Sequence, residues 1–488
     1  MIEELNRVVW GWRAAISRRW PRAAAIAVTL PCMSLSSLSF RLLRTTLLVL
    51  WLAGCDHAAD RAVVVEFWAM GQEGEQVKAL LPEFERRHPG LRVRVQQIPW
   101  SAAHEKLLTA YAGDAMPDLF QLGNTWIPEF VALRAVEPLD ARLQAWPAAA
   151  LEDYFSGILA TNRLDGHTYA LPWYVDTRLF FYRTDLLAAA GFAEPPTTWE
   201  AWVQAMTRIK ARVGSERYAI LLPINEWQLP VILALQRGAT LLHDRDQYGN
   251  FQEPRFREAF DFYLSLFERE LAPPVGHAQM ANLYQEFANG AFAIYVSGPW
   301  NIGEFGRRLP ATVRPHWNTA PLPAWIPPDP SLPPPEGRES WVGASLAGGA
   351  SLALSRTSPR REAAWKLLEF LVEPEQQARF YQLTGDLPAR QSAWNDPVLA
   401  GNRYAQAFRR QLQQVRATPA IPEWERIADK LAYHAERAIR QQVSVDEALA
   451  ALDRDVDRIL EKRRWLLRQG TQPSPPALLP PAGEGRER

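Results

Sequence analysis

The chain has 488 residues, and its 54 Lys plus Arg are balanced by 54 Asp plus Glu for a formal net charge of +0. It therefore offers neither a basic field for nucleic acid nor an acidic one for a polycationic partner. The length suffices for two or three domains with a large core, and with both cysteines (Cys32 and Cys55) early in the chain no disulfide can form beyond residue 55.

An apolar run from Leu47 to Ala53 follows Arg41 and Arg44 and ends on Gly54 and Cys55. A bilayer span takes about 20 apolar residues, so this run suits the core of a cleaved export signal instead. The tetrapeptide LAGC at 52–55 resembles the lipobox of bacterial lipoproteins, which implies acylation of Cys55 and a lipid anchor in the membrane. Asp56 after it resembles an inner-membrane retention signal. Met33 begins a stretch that is a complete signal on its own and is the expected start; residues 1–54 are set aside as a signal region.

AVVVEF at 62–67 reads as a strand, and Val77, Leu80, Leu81 and Phe84 mark one face of a helix stopped by Pro89-Gly90. LRVRVQ at 91–96 alternates strictly, which completes a parallel βαβ unit. Its first loop, 68–74, falls at the carboxyl end of the first strand, where open α/β sheets place ligands. DLFQL at 118–122 predicts a further strand with GNTW after it. The stretch 195–214 predicts a helix with a Thr197/Glu200 capping box and Trp199, Trp202, Met206 and Ile209 on one core-facing stripe. A Pro-rich extended loop is expected at 323–337, and a helix at 358–371 capped by Ser358 with Pro359 at its first position. A further helix should end near Gly385, and residues 421–464 read as helical almost throughout. The Pro/Gly-rich end, 466–488, is expected to be disordered.

Four segments in this order resemble the extracellular solute-binding proteins of ABC importers, the maltose-binding-like family 1. They are MPDLFQLGNTWIPEF (116–130), YALPWYVDTRLFFYRTDLLAAAGF (169–192), NGAFAIYVSGPWN (289–301), and GGASLALSRTSPRREAAWKLLEFLVEPEQQARFY (348–381) with GDLPAR (385–390). The resemblance implies an α/β two-lobe periplasmic binding protein fold of class II, its lobes joined by a three-crossing hinge, with a helical C-terminal region. Carried over, the crossings fall near Asp176, Ala320 and Val372. Lobe 1 is then expected at 61–175 plus 320–372, and lobe 2 at 176–319 plus 373–465.

Sugars present hydroxyls that donate and accept, together with apolar ring faces, so a site for them interleaves planar polar side chains with aromatics. Trp300 in GPW matches the family's stacking position, with a buried turn indole as the plain alternative. Asp176 matches the hinge acid that accepts from hydroxyls, unless it is a hinge residue paired with Arg178. Gln72 and Glu73 follow the first strand, although Glu73 could instead serve a helix start. Asn124, Thr125 and Trp126 follow the third strand, and Trp126 fits the lobe core equally well. The resemblance adds Asn225, Glu226 and Trp227 from the second lobe. Gly348 and Gly349 would permit close backbone approach. Arg390 could bind a hydroxyl or a surface carboxylate, and Trp341 and Trp424 are weaker candidates.

The resemblance implies an exported, lipid-anchored, monomeric carbohydrate receptor that hands its ligand to permease subunits driven by a separate ATPase, with no cofactor and no metal. A polyamine or other small polar solute is the alternative ligand, because Glu73, Asp176 and Glu226 with Trp300 could box a cation. An exported glycoside hydrolase would also place acids beside aromatics. No G-x-S-x-G, H-E-x-x-H or Walker A sequence occurs, however, so no enzymatic activity is expected.

Overall fold

The computed structural model describes residues 62–280, 282–326 and 343–470. The signal region with Met33 and Cys55, Trp341, most of the expected loop at 323–337, and the end beyond 470 lie outside these residues.

Two sheets organise the chain. The first has six strands in the order β10-β4-β9-β3-β1-β2, where β1 is Val63–Met70, β2 Leu91–Ile98, β3 Leu119–Gly123, β4 Leu171–Asp176, β9 Gly348–Leu354 and β10 Leu387–Pro388. β1 runs parallel to both β2 and β3, with Val63 opposite Leu91, which is the expected βαβ unit. β9 is antiparallel to β3 and β4. The second sheet has four strands in the order β8-β5-β7-β6: β5 is Leu179–Arg183, β6 Tyr218–Leu221, β7 Phe292–Ser297 and β8 Trp317–Ala320.

The sequence pattern explains where the cores sit. Along β1, Val65, Phe67 and Ala69 pack with Phe84, Trp365 and Leu368 on one face, while Trp68 and Met70 turn to Leu107 and Phe130 on the other. A strand between two helical layers must be apolar on both faces, and β3, β5 and β7 are buried at every position. The helix Trp199–Val213 buries Trp199, Trp202, Ala205, Met206 and Ile209 against the second sheet, as its stripe predicted. Burying one such large side chain stabilises the fold by about 2 kcal/mol. Its cap is Thr198, not Thr197: the Thr198 hydroxyl accepts from the Ala201 amide at 3.1 Å. Ser358 also sits ahead of its helix, which begins at Arg361. Its hydroxyl donates to buried Asp118 at 2.6 Å and accepts from the Arg360 amide at 2.9 Å.

The C-terminal helices Trp424–Ile439 and Val445–Ile459 pack into the core of the second sheet, the latter opened by a Ser444/Glu447 capping box. A last helix, Glu461–Gly470, carries regular structure past 466, where disorder was expected.

The chain changes sheet directly after Asp176, since β4 ends there and β5 begins at Leu179. The other two changes come later than the expected Ala320 and Val372. Leu322 and Leu346 still pack with the second sheet's core, and Ala324 bridges Thr198, so the chain joins the first sheet only at Gly348. The helix Pro374–Thr384 stacks Phe380 on Trp173 of β4, and β10 then pairs with β4, so the first sheet keeps the chain through Pro388. Edge pairing decides these points, and it leaves no local mark in the sequence.

Candidate ligand-binding cleft

Between the carboxyl ends of the first sheet and the loops of the second lies a cleft of about 590 Å³. Its first wall is built from three strand ends, where the chain turns into a helix or turn: after β1 come Gln72 and Glu73, after β2 Trp100, and after β3 Asn124, Thr125 and Trp126. Gln72 and Glu73 belong to a short helix, Gly71–Gln76, rather than to the loop expected at 68–74.

Glu73 is buried and accepts from the Tyr174 hydroxyl at 2.9 Å and the Trp100 indole N–H at 3.2 Å. Tyr174 in turn accepts from the Gln121 amide at 3.0 Å, and the Gln121 oxygen accepts from the Met70 amide at 2.8 Å. Burial pushes the Glu73 carboxyl above its ordinary range despite these donors, and burial together with Glu73 pushes the Tyr174 phenol well up. Asn124 accepts from the Ser351 hydroxyl at 2.8 Å, while its buried amide nitrogen has no protein partner. Trp126 is half-buried and edge-on to Trp100 with centroids 5.7 Å apart; it borders the cleft and also packs against the core of the first sheet.

At the sheet change-over, Arg178 donates to both oxygens of Asp176, at 2.8 and 2.9 Å, and lies 4.9 Å over the ring of Trp300. Burial opposes the Arg178 charge, but Asp176 and then Glu226 outweigh it and hold the guanidinium above its ordinary value. Trp300 opens the helix Trp300–Arg308 and is 37% exposed, so it is no buried turn residue. Gly298 makes this placement possible, since a Cβ there would collide with the Trp300 ring and the Asp176 carboxylate. Trp227 also borders the cleft, braced edge-on by Trp424, which is itself core.

Gly348 and Gly349 border the cleft too, but their smallness serves the sheet. A Cβ on Gly349, whose φ is +128°, would meet the Tyr174 carbonyl of the paired strand, and one on Gly348 the Asp176 carbonyl.

Three expected contacts lie elsewhere. The Asn225 side chain accepts from the His277 amide at 3.1 Å, and Glu226 bonds the His277 imidazole at 2.6 Å, raising its pKa. Both therefore pin the 276–279 turn; Glu226 also lines a small cavity that contains Arg178, outside the main cleft. Arg390 is buried in a pair with Asp153 at 2.7 Å, over the ring of Tyr154, and borders a separate outer groove. A one- or two-residue slip in a loop, or an arginine's choice of carboxylate, is invisible before the chain folds.

Other residues bordering the cleft had no place among the expected contacts: Trp100, Tyr174, Gln228, Asp386, Arg416, Thr418 and Glu425. Trp100 was within reach of the strand-end rule that found Gln72 and Asn124, because it follows β2 directly. Burial raises the Glu425 carboxyl while Thr125, from the opposite wall, lowers it. Among the described residues no cluster of His, Cys, Asp and Glu could hold a metal ion.

A family model described as bacterial extracellular solute-binding protein matches residues 69–378. The solved structure of the sugar-binding protein MalE from the phytopathogen Xanthomonas citri is 46% identical, with a TM-score of 0.78 over 83% of this chain and 100% of that one. A putative binding protein of Brucella abortus is 28% identical over 77% of this chain and 87% of its own length. The diacetylchitobiose binding protein of Streptomyces coelicolor is 25% identical over 76% and 83%. With a two-sheet α/β architecture, a cleft between the sheets and a match spanning more than half its length, the chain belongs to the bacterial extracellular solute-binding protein family.

Proposed function

We propose that this protein is the substrate-capture component of an ABC carbohydrate importer, holding a sugar in the cleft and delivering it to permease subunits powered by a separate ATPase. The observation that carries this reading is the interleaving around the cleft of four indoles, Trp100, Trp126, Trp227 and Trp300, with amide and carboxyl groups from Gln72, Glu73, Asn124 and Asp176. Such a lining offers flat apolar faces for sugar rings and paired donors and acceptors for hydroxyls. Thr125, Gly348 and Gly349 complete the expected contacts in the cleft. Similarity to sugar-binding and diacetylchitobiose-binding proteins supports the ligand class.

Sheet change-overs near Asp176, Gly348 and beyond Pro388 would serve as the hinge about which the lobes close and exclude water. Cys55 would carry the lipid anchor, holding a monomeric receptor on the outer side of the cytoplasmic membrane. Calorimetry of the protein against mono-, di- and oligosaccharides, with putrescine and spermidine alongside, tests the ligand class. Saturable heat with a saccharide and none with the amines is expected; the reverse would abandon sugar for a cationic solute. Release of reducing sugar during the titration would favour a hydrolase.

A further inference from the structure

Like the Asn124 amide nitrogen, a carboxyl oxygen of Asp386 is a buried polar group of the cleft without a protein partner. Asp386 follows Gly385, the left-handed C-cap (φ +85°) of the helix Pro374–Thr384, and is 5% exposed. Its amide donates to the Thr384 hydroxyl at 3.0 Å. Its Oδ2 is enclosed, has no hydrogen-bond partner, and belongs to a residue that borders the cleft.

The charged and titratable groups around it are mostly acids. Glu73 faces it from the helix Gly71–Gln76, and Tyr174 and Asp176 face it from β4. The nearby guanidinium, Arg178, is committed to Asp176, and Arg379 on the preceding helix is paired with Glu83. Leu387 and Pro388 of β10 do not titrate. Arg416 borders the cleft from a short strand pairing with Ser345–Leu346 and shows no bond to Asp386.

An enclosed carboxylate without a cation or donor costs several kcal/mol and takes up a proton instead. Burial, then the negative charge of Glu73, push the Asp386 carboxyl well above its ordinary range, against the opposing Thr384 bond. The charge of Glu73 thus disfavours a second charge on Asp386, and the donors favour the charge on Glu73. Glu73 accepts from Tyr174 and Trp100 and is equipped to carry the charge, whereas Asp386 Oδ2 has nothing to accept from.

We propose that Asp386 meets the ligand as a neutral carboxylic acid, donating a hydrogen bond from its unpartnered oxygen to a ring or glycosidic oxygen, which has no proton to give back. This rests on the reading of the cleft as a sugar site and sharpens it. A sugar oxygen has lone pairs to accept that bond, and an ammonium group has none. The same acid that looks suited to a polyamine on paper therefore selects against one. Affinity is full while the proton is held and falls as pH rises through its loss, because the carboxylate then repels the lone pairs it formerly bonded.

Two measurements test this. Difference infrared spectra of wild type minus Asp386→Asn, taken at pH 7 without ligand, should contain the stretch of a protonated carboxyl. Calorimetry with maltose and maltotriose should find D386N, which keeps an N–H donor, within about threefold of wild type, and D386A about tenfold weaker. Wild-type affinity should fall at alkaline pH and that of D386N should not. A missing infrared band, or D386N as weak as D386A, overturns the donor role while saccharide binding by wild type stands. Heat with spermidine and none with either sugar overturns the sugar reading and the donor role with it, even where the band is present.

Discussion

The wall of the cleft contributed by the six-stranded sheet is built around a hydrogen-bonded network, whereas the facing wall sets the indoles of Trp227 and Trp300 among Gln228, Arg416, Thr418 and Glu425. In the first, Met70, Gln121, Tyr174, Glu73 and Trp100 form one continuous chain of donors and acceptors, largely buried. In the second, Trp300 stands 37% exposed above Arg178, and Trp227 leans edge-on against Trp424. Buried polar groups must be satisfied, which fixes their geometry before any ligand arrives. An exposed ring face tolerates many poses. For the proposed sugar, the first wall would set orientation and the second would supply ring contact.

Substitutions can break or sharpen this contrast. The largest effect is expected from Gly349→Ala, which places a side chain at φ +128° against the Tyr174 carbonyl and disturbs the strand that carries the network. Chemical denaturation should show a loss of about 3 kcal/mol. Tyr174→Phe deprives Glu73 of a donor and leaves the Gln121 amide unpaired, and should cost about 2 kcal/mol of stability. Trp300→Ala should leave denaturation within about 0.5 kcal/mol of wild type yet weaken saccharide binding in calorimetry by about 1 to 3 kcal/mol. If Trp300→Ala unfolded the protein while Tyr174→Phe did not, the division of labour between the walls would be lost.

Two pH-dependent effects are smaller. Asp386 has its folded pKa raised by burial, so the folded state binds more protons than the unfolded chain, and its penalty to stability grows as pH rises above the unfolded carboxylate value of about 4. Asp386→Asn should remove that slope, visible as a rise in Tm relative to wild type between acid and neutral pH. The Glu226–His277 pair gives a slope of the same sign, as a stabilisation lost on raising the pH and not a penalty gained. The folded pKa of His277 is raised first by its bond to Glu226, so its contribution is present below the unfolded histidine value and fades as pH rises through the raised one. Glu226→Gln should cost at most about 1 kcal/mol in acid, less at neutral pH, with saccharide affinity unchanged.

Much of the fold was legible because its signals are local. The βαβ unit at 63–98, the stripe of Trp199, Trp202, Met206 and Ile209, and the helical character of 421–464 follow from periods of 2 and 3.6 residues. The positions after β1 and β3 that border the cleft follow from the rule that ligands sit beyond strand ends, and the same rule applied to β2 reaches Trp100. The resemblance supplied Trp300 and Asp176. Asn225, Glu226 and Arg390 went astray because each meets a partner remote in sequence, His277 for the first two and Asp153 for the last.

By itself the sequence determined which segments are strands and helices and which faces are apolar, because these depend on neighbours within one or two turns. Only the tertiary structure decided that β10 pairs with β4, that Tyr174 donates to Glu73, and that Asp386 is enclosed without a cation. The charge and bonding of a buried side chain depend on whatever the folded chain brings around it, and those groups come from segments hundreds of residues apart.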